Sequence, residues 1–326
     1  MPTALVTGAT GFTGGVLARR LAREGWSVTS FVRESSDTRG LESLGVARQV
    51  VDLADAEQVE KFMRPFDRVF HLAATYREEP ADRSVFHRIN VVGTENLLRA
   101  AAEAGVGRFV HCSTVGIHGH VEHPPADESY RAAPNDHYQE SKWEGEQIAL
   151  RYFAAGLPGS VVRPGAIYGP GDRRFLKLFR AVKRRRFAMI GGGRALYHLV
   201  YVDDLVEGFL RAAERSEALG EVFIVAGERP CTVGELVAEV ARALGAPAPW
   251  LRVPLGPVRA AAVVCERVCH AIGVAPPLYP RRVEFFEMDR AFSIEKARRL
   301  LGYEPGWSLA RGIDATARGY EAAGLL

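Results

Sequence analysis

Cysteine is scarce in this chain: Cys112, Cys231, Cys265 and Cys269 are the only four in 326 residues. They are too few for a disulfide framework and none stands at metal-ligand spacing from a histidine, so neither a stapled fold nor a metal centre is expected, and reduced thiols in a cytosol are the simplest reading. Net charge is nearly lacking as well, at +3. An excess so small and so evenly spread argues against a nucleic-acid partner, and the one basic run, "KRRR" at 183–186, fits a solvated helix face. There is no internal repeat and no low-complexity tract. No basic leader or small-residue cleavage site precedes "TALVTGATG", so the expected location is cytoplasmic. One apolar run raises the membrane question, "GPVRAAAVVCERVCHAIG" at 256–273, but it carries Arg259, Glu266, Arg267 and His270. Those charges favour a packed amphipathic helix over a span, with contact at a membrane surface as the minority reading.

What is present is an ordinary soluble balance, 47% hydrophobic and 25% charged, somewhat rich in glycine at 33 residues. That suits an α/β protein with tight strand-to-helix turns, and the length fits one large domain or a domain with a smaller lobe. Short apolar runs alternate with helical patterns through the first half. "ALVTGA", "SVTSFVR", "RQVVDL", "DRVFHLAA", "RFVHCST" and "GSVVRP" read as strands, and "GGVLARRLAREG", "AEQVEKFM", "NVVGTENLLRAAAEAG" and "YQESKWEGEQIALRYFAAG" as helices. Strands alternating with helices at this spacing imply βαβ crossovers and a parallel sheet covered on both faces.

After residue 170 the texture changes. "RRFLKLFRAVKRRR" reads as a helix, "FAMIGGG" as a strand and turn, "HLVYVDDLVEGFLRAAER" as a strand entering a helix and "EVFIVAG" as another strand. The helices "TVGELVAEVARALG", the apolar one after Pro254 and a final "SIEKARRLLGY" follow. The expected architecture is α/β, a Rossmann-type doubly wound parallel sheet over residues 1–170 to which some later segments return. A smaller C-terminal α/β substrate lobe is expected over 171–326, with the ligand cleft between the two.

In "LVTGATGFTGG", Gly8, Gly11 and Gly14 follow a strand and open a helix. Glycine lets the backbone turn sharply and approach a pyrophosphate while the helix N-terminus presents unpaired N–H groups, so this loop, with Thr10, Phe12 and Thr13, is the candidate dinucleotide cradle. The next strand ends in "SFVRESS". A carboxylate there would hold a ribose 2′-hydroxyl, whereas Arg33 accommodates a 2′-phosphate, which favours NADP over NAD; Glu34 beside it works against that preference. Asp52 in "VVDL", with Leu53, is a candidate adenine contact, an ordinary loop aspartate being its competitor.

"HYQESKWEGE" at 137–146 sets Tyr138 one helical turn before Lys142, so both side chains reach one face. A phenol with a pKa of about 10 is a poor base at neutral pH, but an adjacent ammonium and a positive nicotinamide ring favour its phenolate. Upstream, "HCSTVGIHG" ends a strand with the hydroxyls of Ser113 and Thr114, either of which could meet a substrate oxygen beside Tyr138.

Taken in order, the glycine loop, the "NVVGT" helix start at Asn90, the "ST" strand end, "YQESK" and "RPGAIYGPGD" at 163–172 resemble the extended branch of the short-chain dehydrogenase/reductase superfamily, over nearly the whole chain. That resemblance implies a catalytic triad of Thr114, Tyr138 and Lys142. Thr114 is preferred to Ser113 because the family's hydroxyl stands five residues before the glycine matched by Gly119. It also implies that Asn90 assists near the active site, that Leu72, Ala73 and Ala74 of "HLAA" and Pro164 line the cofactor, and that the chain pairs as a homodimer through the helices near Val91 and Tyr138.

Within the branch, sugar-nucleotide enzymes usually carry an asparagine three residues after the arginine matched by Arg163, where this chain has Ala166. They also tend to carry an arginine where it has Tyr197. Losing two contacts to a diphosphate counts against that substrate class, unless Arg194, Arg281 and Arg282 compensate. The C-terminal region resembles the 3-beta-hydroxysteroid and sterol-4-alpha-carboxylate dehydrogenases. The expected activity is therefore hydride transfer between NAD(P) and a secondary alcohol or ketone of a bulky apolar substrate. A nucleotide-sugar epimerase with retained NAD is the alternative, and a catalytically silent dinucleotide-sensing regulator ranks below both. Tyr76, Ala166 and Tyr197, with Tyr168 and Phe175, are candidate substrate neighbours, for each of which core packing competes.

Overall fold

In the computed structural model, residues 1–76, 82–274 and 276–326 are described, Arg281 by its backbone alone. The strands are β1 (Thr3–Thr7), β2 (Ser27–Val32), β3 (Ala47–Val50), β4 (Arg68–His71), β5 (Phe109–Cys112), β6 (Gly159–Pro164), β7 (Ala166–Tyr168), β8 (Met189–Ile190), β9 (Leu196–Tyr197), β10 (Leu199–Tyr201), β11 (Val222–Val225), β12 (Cys231–Thr232) and β13 (Arg252–Val253). The α-helices are α1 (Phe12–Arg23), α2 (Arg39–Glu42), α3 (Ala56–Phe62), α4 (Arg83–His87), α5 (Thr94–Glu103), α6 (His137–Ala154), α7 (Leu176–Lys183), α8 (Val202–Glu214), α9 (Val233–Ala243), α10 (Leu255–Ala271), α11 (Pro280–Val283), α12 (Glu295–Leu301) and α13 (Leu309–Ala322).

Among the described residues the large sheet has seven strands in the order β11-β6-β5-β4-β1-β2-β3. All of its pairings are parallel. The order reverses direction at β1 and β4, the kind of crevice in which doubly wound sheets take their ligands, at the carboxyl ends of the strands. β1, β4, β5 and β6 are nearly continuous runs of buried residues because helices cover both faces. α3, α5 and α6 lie on one side and α1 and α8 on the other, with α8 packed on α1, β5 and β6. The late strand β11 completes the large sheet beside β6, pairing Val222 with Val161 through Val225 with Pro164.

The remaining C-terminal strands form three two-stranded ladders. The expected strand in "FAMIGGG" is only β8, paired with β13. The segment 293–303 is not the chain's last helix, as the pattern suggested; α13 follows it. Its buried face sets the small residues Gly312, Thr316 and Ala317 among Ile313 and Tyr320. Small residues are needed there: a Cβ on Gly312 would lie 2.2 Å from the Tyr168 hydroxyl oxygen.

Four buried histidines tie acid stability to this fold. Burial pushes the imidazoles of His71, His111, His118 and His198 below their ordinary value, and nearby Lys142 adds to the effect on His71, which is driven to about 3, and on His111. The unfolded chain takes up a proton on each near pH 6.5 while the folded chain takes it up only at lower pH, so the stability is present above about 6.5 and lost as pH falls below it, down to about 3 for His71. We expect urea unfolding free energies measured between pH 6 and 4 to fall by about 1.4 kcal/mol per pH unit for each of His71 and His111, with His118 and His198 adding in the same direction. Neither ring nitrogen of His111 has a hydrogen-bond partner among the described residues. His111→Leu should therefore flatten the slope by about one proton.

Candidate active site

The glycine loop is built around close approach. Gly8 has φ +76°, and a Cβ on it would lie 2.8 Å from the Ala73 amide nitrogen, so β1 and the segment after β4 meet only because the side chain is absent. A Cβ on Gly14 would lie 2.3 Å from the Gly8 carbonyl oxygen. Gly11 is the residue before α1 and offers no side-chain cap, so the first-turn N–H groups face the loop. α3, α6 and α13, by contrast, begin on side-chain caps from Asp55, Asp136 and Ser308. An uncapped helix mouth beside glycines of this kind accepts a pyrophosphate.

The loop opens into a cleft of about 1420 Å³ running between the large sheet and the C-terminal elements. Gly8, Thr10, Gly11, Phe12, Thr13, Gly14, Leu72, Ala74, Thr114, Tyr138, Lys142, Pro164, Tyr76, Ala166 and Tyr197 all line it, as do Ser113 and Phe175. The structure therefore brings most of the sequence-derived candidates to one surface.

α6 begins at His137 because the Asp136 side chain accepts from the Gln139 N–H at 2.8 Å, and this start fixes where Tyr138 and Lys142 face. The Tyr138 ring meets the ring of Tyr76 edge-on at 5.0 Å and that of Phe86 at 6.4 Å. Lys142 is buried and its Nζ donates to the Cys112 carbonyl at 2.6 Å, pinning α6 to the end of β5. Burial pushes its pKa down, opposed by the Cys112 thiol and Glu146. The Thr114 Oγ1 accepts the Gly116 N–H at 3.0 Å, which leaves its hydroxyl proton to point at another acceptor. Ser113 is buried, and its Oγ has no hydrogen-bond partner among the described residues.

Arg33, Asp52, Leu53, Ala73 and Asn90 do not line the cleft. Arg33 is exposed at the end of β2. Asp52 accepts the Ala54 N–H at 3.0 Å and pairs with Arg88. Asn90 works one layer down: its Nδ2 donates to Ser141 Oγ at 2.9 Å, its Oδ1 accepts the Thr75 N–H at 2.8 Å, and Ser141 Oγ donates to the Tyr138 carbonyl at 2.8 Å. The chain leaving β4 is thereby tied to the first turn of α6. Behind it, Thr94 Oγ1 donates to the Asn90 carbonyl at 2.8 Å, so it accepts from His71 Nε2 at 2.9 Å, and His71 Nδ1 accepts from Thr7 Oγ1 at 2.8 Å. His71 is thus a neutral imidazole with its proton on Nε2.

Tyr168 is a core residue and not a pocket neighbour: it is 3% exposed, packed edge-on to Tyr201 and against α13. Arg194 is exposed away from the cleft, Arg282 lines it, and the Arg281 side chain lies outside the described residues.

Several contributors escaped the sequence reading. Arg163 and Glu146 form a buried bidentate pair, Nε to Oε2 at 3.0 Å and Nη2 to Oε1 at 2.6 Å, which clamps α6 to β6. The same guanidinium donates to the Glu128 carbonyl at 2.9 Å and to His118 Nε2 at 3.2 Å, while His118 Nδ1 donates to the Arg131 carbonyl. Glu146 follows Lys142 by one helical turn, a spacing that was available as a signal. The distal cleft wall holds Leu178, Phe187, Ile190, Leu278, Phe285 and Phe286, drawn from three separate segments. Three of the cleft's arginines are engaged: Arg174 with Asp172 at 2.7 Å, Arg290 with Glu284 at 3.4 Å, and Arg282 with the Pro277 carbonyl at 2.5 Å.

A parallel doubly wound sheet, a glycine cradle and a tyrosine–lysine helix on one cleft define a dinucleotide-dependent enzyme of the extended short-chain dehydrogenase/reductase type. The chain belongs to the NAD dependent epimerase/dehydratase family, whose profile matches residues 4–226. It is 32% identical over 318 residues to a 4-hydroxy-2-methyl-3-oxo-4-farnesyl-3,4-dihydroquinoline-1-oxide ketoreductase of Stigmatella aurantiaca, covering 95% of this chain and 94% of that one. It is 34% identical to a 3 beta-hydroxysteroid dehydrogenase/Delta 5-->4-isomerase of Mycobacterium tuberculosis, covering 92% and 85%. A UDP-glucose 4-epimerase of Thermotoga maritima shares the fold with a TM-score of 0.79 at 24% identity, covering 98% and 99%. The protein is an NAD-dependent oxidoreductase of this family.

Proposed function

We propose that the chain reduces a ketone, or oxidises the corresponding secondary alcohol, on a bulky apolar substrate. The observation that carries this reading is the division of the cleft. One end is a glycine cradle, Tyr138, Lys142 and Thr114 lie between, and the other end is an aromatic and aliphatic wall around Phe187, Leu278, Phe285 and Phe286. Two relatives support it, since one is a ketoreductase of a farnesylated quinoline oxide and the other acts on a 3 beta-hydroxysteroid. Residues 1–170 supply the cofactor end and residues 171–326 most of the substrate wall.

Gly8, Thr10, Gly11, Phe12, Thr13 and Gly14 hold the pyrophosphate, Leu72, Ala74 and Pro164 border the nicotinamide half, and Asp52 and Leu53 serve the adenine. When bound, the nicotinamide supplies or accepts the hydride. Tyr138 Oη gives a proton to the substrate oxygen in reduction and takes it back in oxidation, and the Thr114 hydroxyl donates to that same oxygen. The Lys142 ammonium stabilises the phenolate form of Tyr138. Asn90 acts through Ser141 by holding the first turn of α6, and Tyr76, Ala166 and Tyr197 flank the substrate. The protein acts in the cytoplasm as a homodimer.

NADP is the favoured cofactor. Asp37, a carboxylate at the cradle end of the cleft, is already taken by Arg39, which donates at 2.9 and 2.6 Å and holds its carboxyl down at about 2. Arg33 and Arg19 then supply cations for a 2′-phosphate. We expect NADPH-dependent turnover of polycyclic or long-chain ketones followed at the nicotinamide absorbance, with kcat/KM for NADPH above that for NADH. Arg33→Ser should cut that preference by about tenfold or more, the worth of a charge-assisted hydrogen bond. Turnover of UDP-sugars by tightly retained NAD, with no ketone reduction, would overturn the reading.

A further inference from the structure

α10 is packed inside out. Among its described residues Ala262 alone is buried, and it faces inward. On the opposite face Ala260, Ala261, Val264, Val268, Ala271 and Ile272 at its C-terminal end are all exposed, with Val264 at 61%, Val268 at 54% and Ile272 at 66%. These positions recur at helical spacing and form one apolar stripe. Trp250, just before the helix, is 85% exposed, and Val274 just after it is 49% exposed. Stripes of this size are unusual on a surface that meets only water.

The charged residues of this segment are mostly of one sign. Residues 250–274 contain Arg252, Arg259 and Arg267 against Glu266. Arg267 stands at the edge of the stripe between Val264 and Val268, while Arg259, on the inner side, is held by Glu287 at 3.0 Å. An exposed apolar helix face with an arginine, Arg267, at its edge and an exposed indole, Trp250, in the segment that leads into it is an arrangement suited to the headgroup layer of an anionic bilayer. A second copy docked about a two-fold axis on the same stripe would set arginine beside arginine near its centre, whereas phosphate headgroups meet those side chains as counter-ions. The segment that follows the stripe supplies Pro277, Leu278, Arg282, Phe285 and Phe286 to the cleft, so the apolar face is continuous along the chain with the apolar substrate wall.

We propose that α10 is a membrane-surface helix, docking this enzyme on anionic lipid with its stripe in the acyl boundary and the cleft wall next to it. No helix among the described residues is long and apolar enough to cross a membrane, so the attachment is peripheral. The proposal goes beyond the substrate reading and is tested without activity. Full-length protein is sedimented with vesicles of mixed phosphatidylglycerol and phosphatidylcholine, and with phosphatidylcholine alone. The expected result is binding to the anionic vesicles that weakens with added salt, and a loss of about tenfold or more in Val264→Asp/Val268→Asp with unchanged circular dichroism and thermal midpoint. Arg267→Gln should weaken binding to anionic vesicles and leave any residual binding to phosphatidylcholine alone. No partition into either vesicle overturns the proposal. So does partition that the double variant leaves intact, or a concentration-dependent dimer abolished by that variant without vesicle binding. Failure of ketone reduction would bear on the substrate reading and not on this one.

Discussion

Tyr138→Phe lowers kcat by about 10²- to 10⁴-fold under conditions where chemistry limits, the usual worth of a positioned proton donor. The change removes one oxygen and keeps the ring, so the edge-on contacts with Tyr76 and Phe86 and the Asp136 cap of α6 survive. Binding of NADPH, followed by its fluorescence, should change by no more than a few-fold, which separates lost proton transfer from a lost site. Burst or single-turnover measurements check that hydride transfer itself has slowed. A variant that transfers hydride at the parent rate would remove Tyr138 from the chemistry.

The second large effect is on stability, and it comes from beneath the site. Arg163→Met leaves the Glu146 carboxylate fully buried and takes donors from the Glu128 carbonyl and His118 Nε2. Breaking a buried pair by removing one partner costs about 3–5 kcal/mol, because an uncompensated charge remains in a medium that does not solvate it. Urea midpoints at pH 7 should show that loss. Arg163→Met/Glu146→Leu should recover a large part of it, since replacing both charges by apolar groups is far less costly than stranding one. The pair clamps α6 to β6 directly behind Lys142, so the single variant should also lose activity through misplacement of that helix. A single variant as stable as the parent would mean that the pair contributes nothing to the clamp.

Legibility followed the range of the interactions. The glycine loop was readable because its requirement is local: a positive φ at Gly8 and a missing Cβ at Gly14 are properties of a few consecutive residues. The pairing of Tyr138 with Lys142 was readable because helical periodicity places them on one face whatever surrounds them. Arg163 with Glu146 was not, because a strand arginine and a helix glutamate seventeen residues apart meet only when β6 and α6 pack. Tyr168 looked like a pocket residue by position and proved to be core, because a glycine of the distant α13 makes room for its ring. α13 itself was missed since only Ile313 and Tyr320 on the face it buries are large, while Gly312, Thr316 and Ala317 beside them contribute by close approach and not by apolar area.

Local chemistry in the sequence by itself determined the doubly wound class, the dinucleotide loop and the tyrosine–lysine helix, because strand alternation, glycine backbone freedom and helical spacing act within a few residues. Tertiary structure alone decided what the far end of the cleft is made of, which arginines there are already neutralised, and that α10 turns its apolar side outward. Those properties depend on segments far apart in the chain being brought together, and burial and charge pairing exist only once they are.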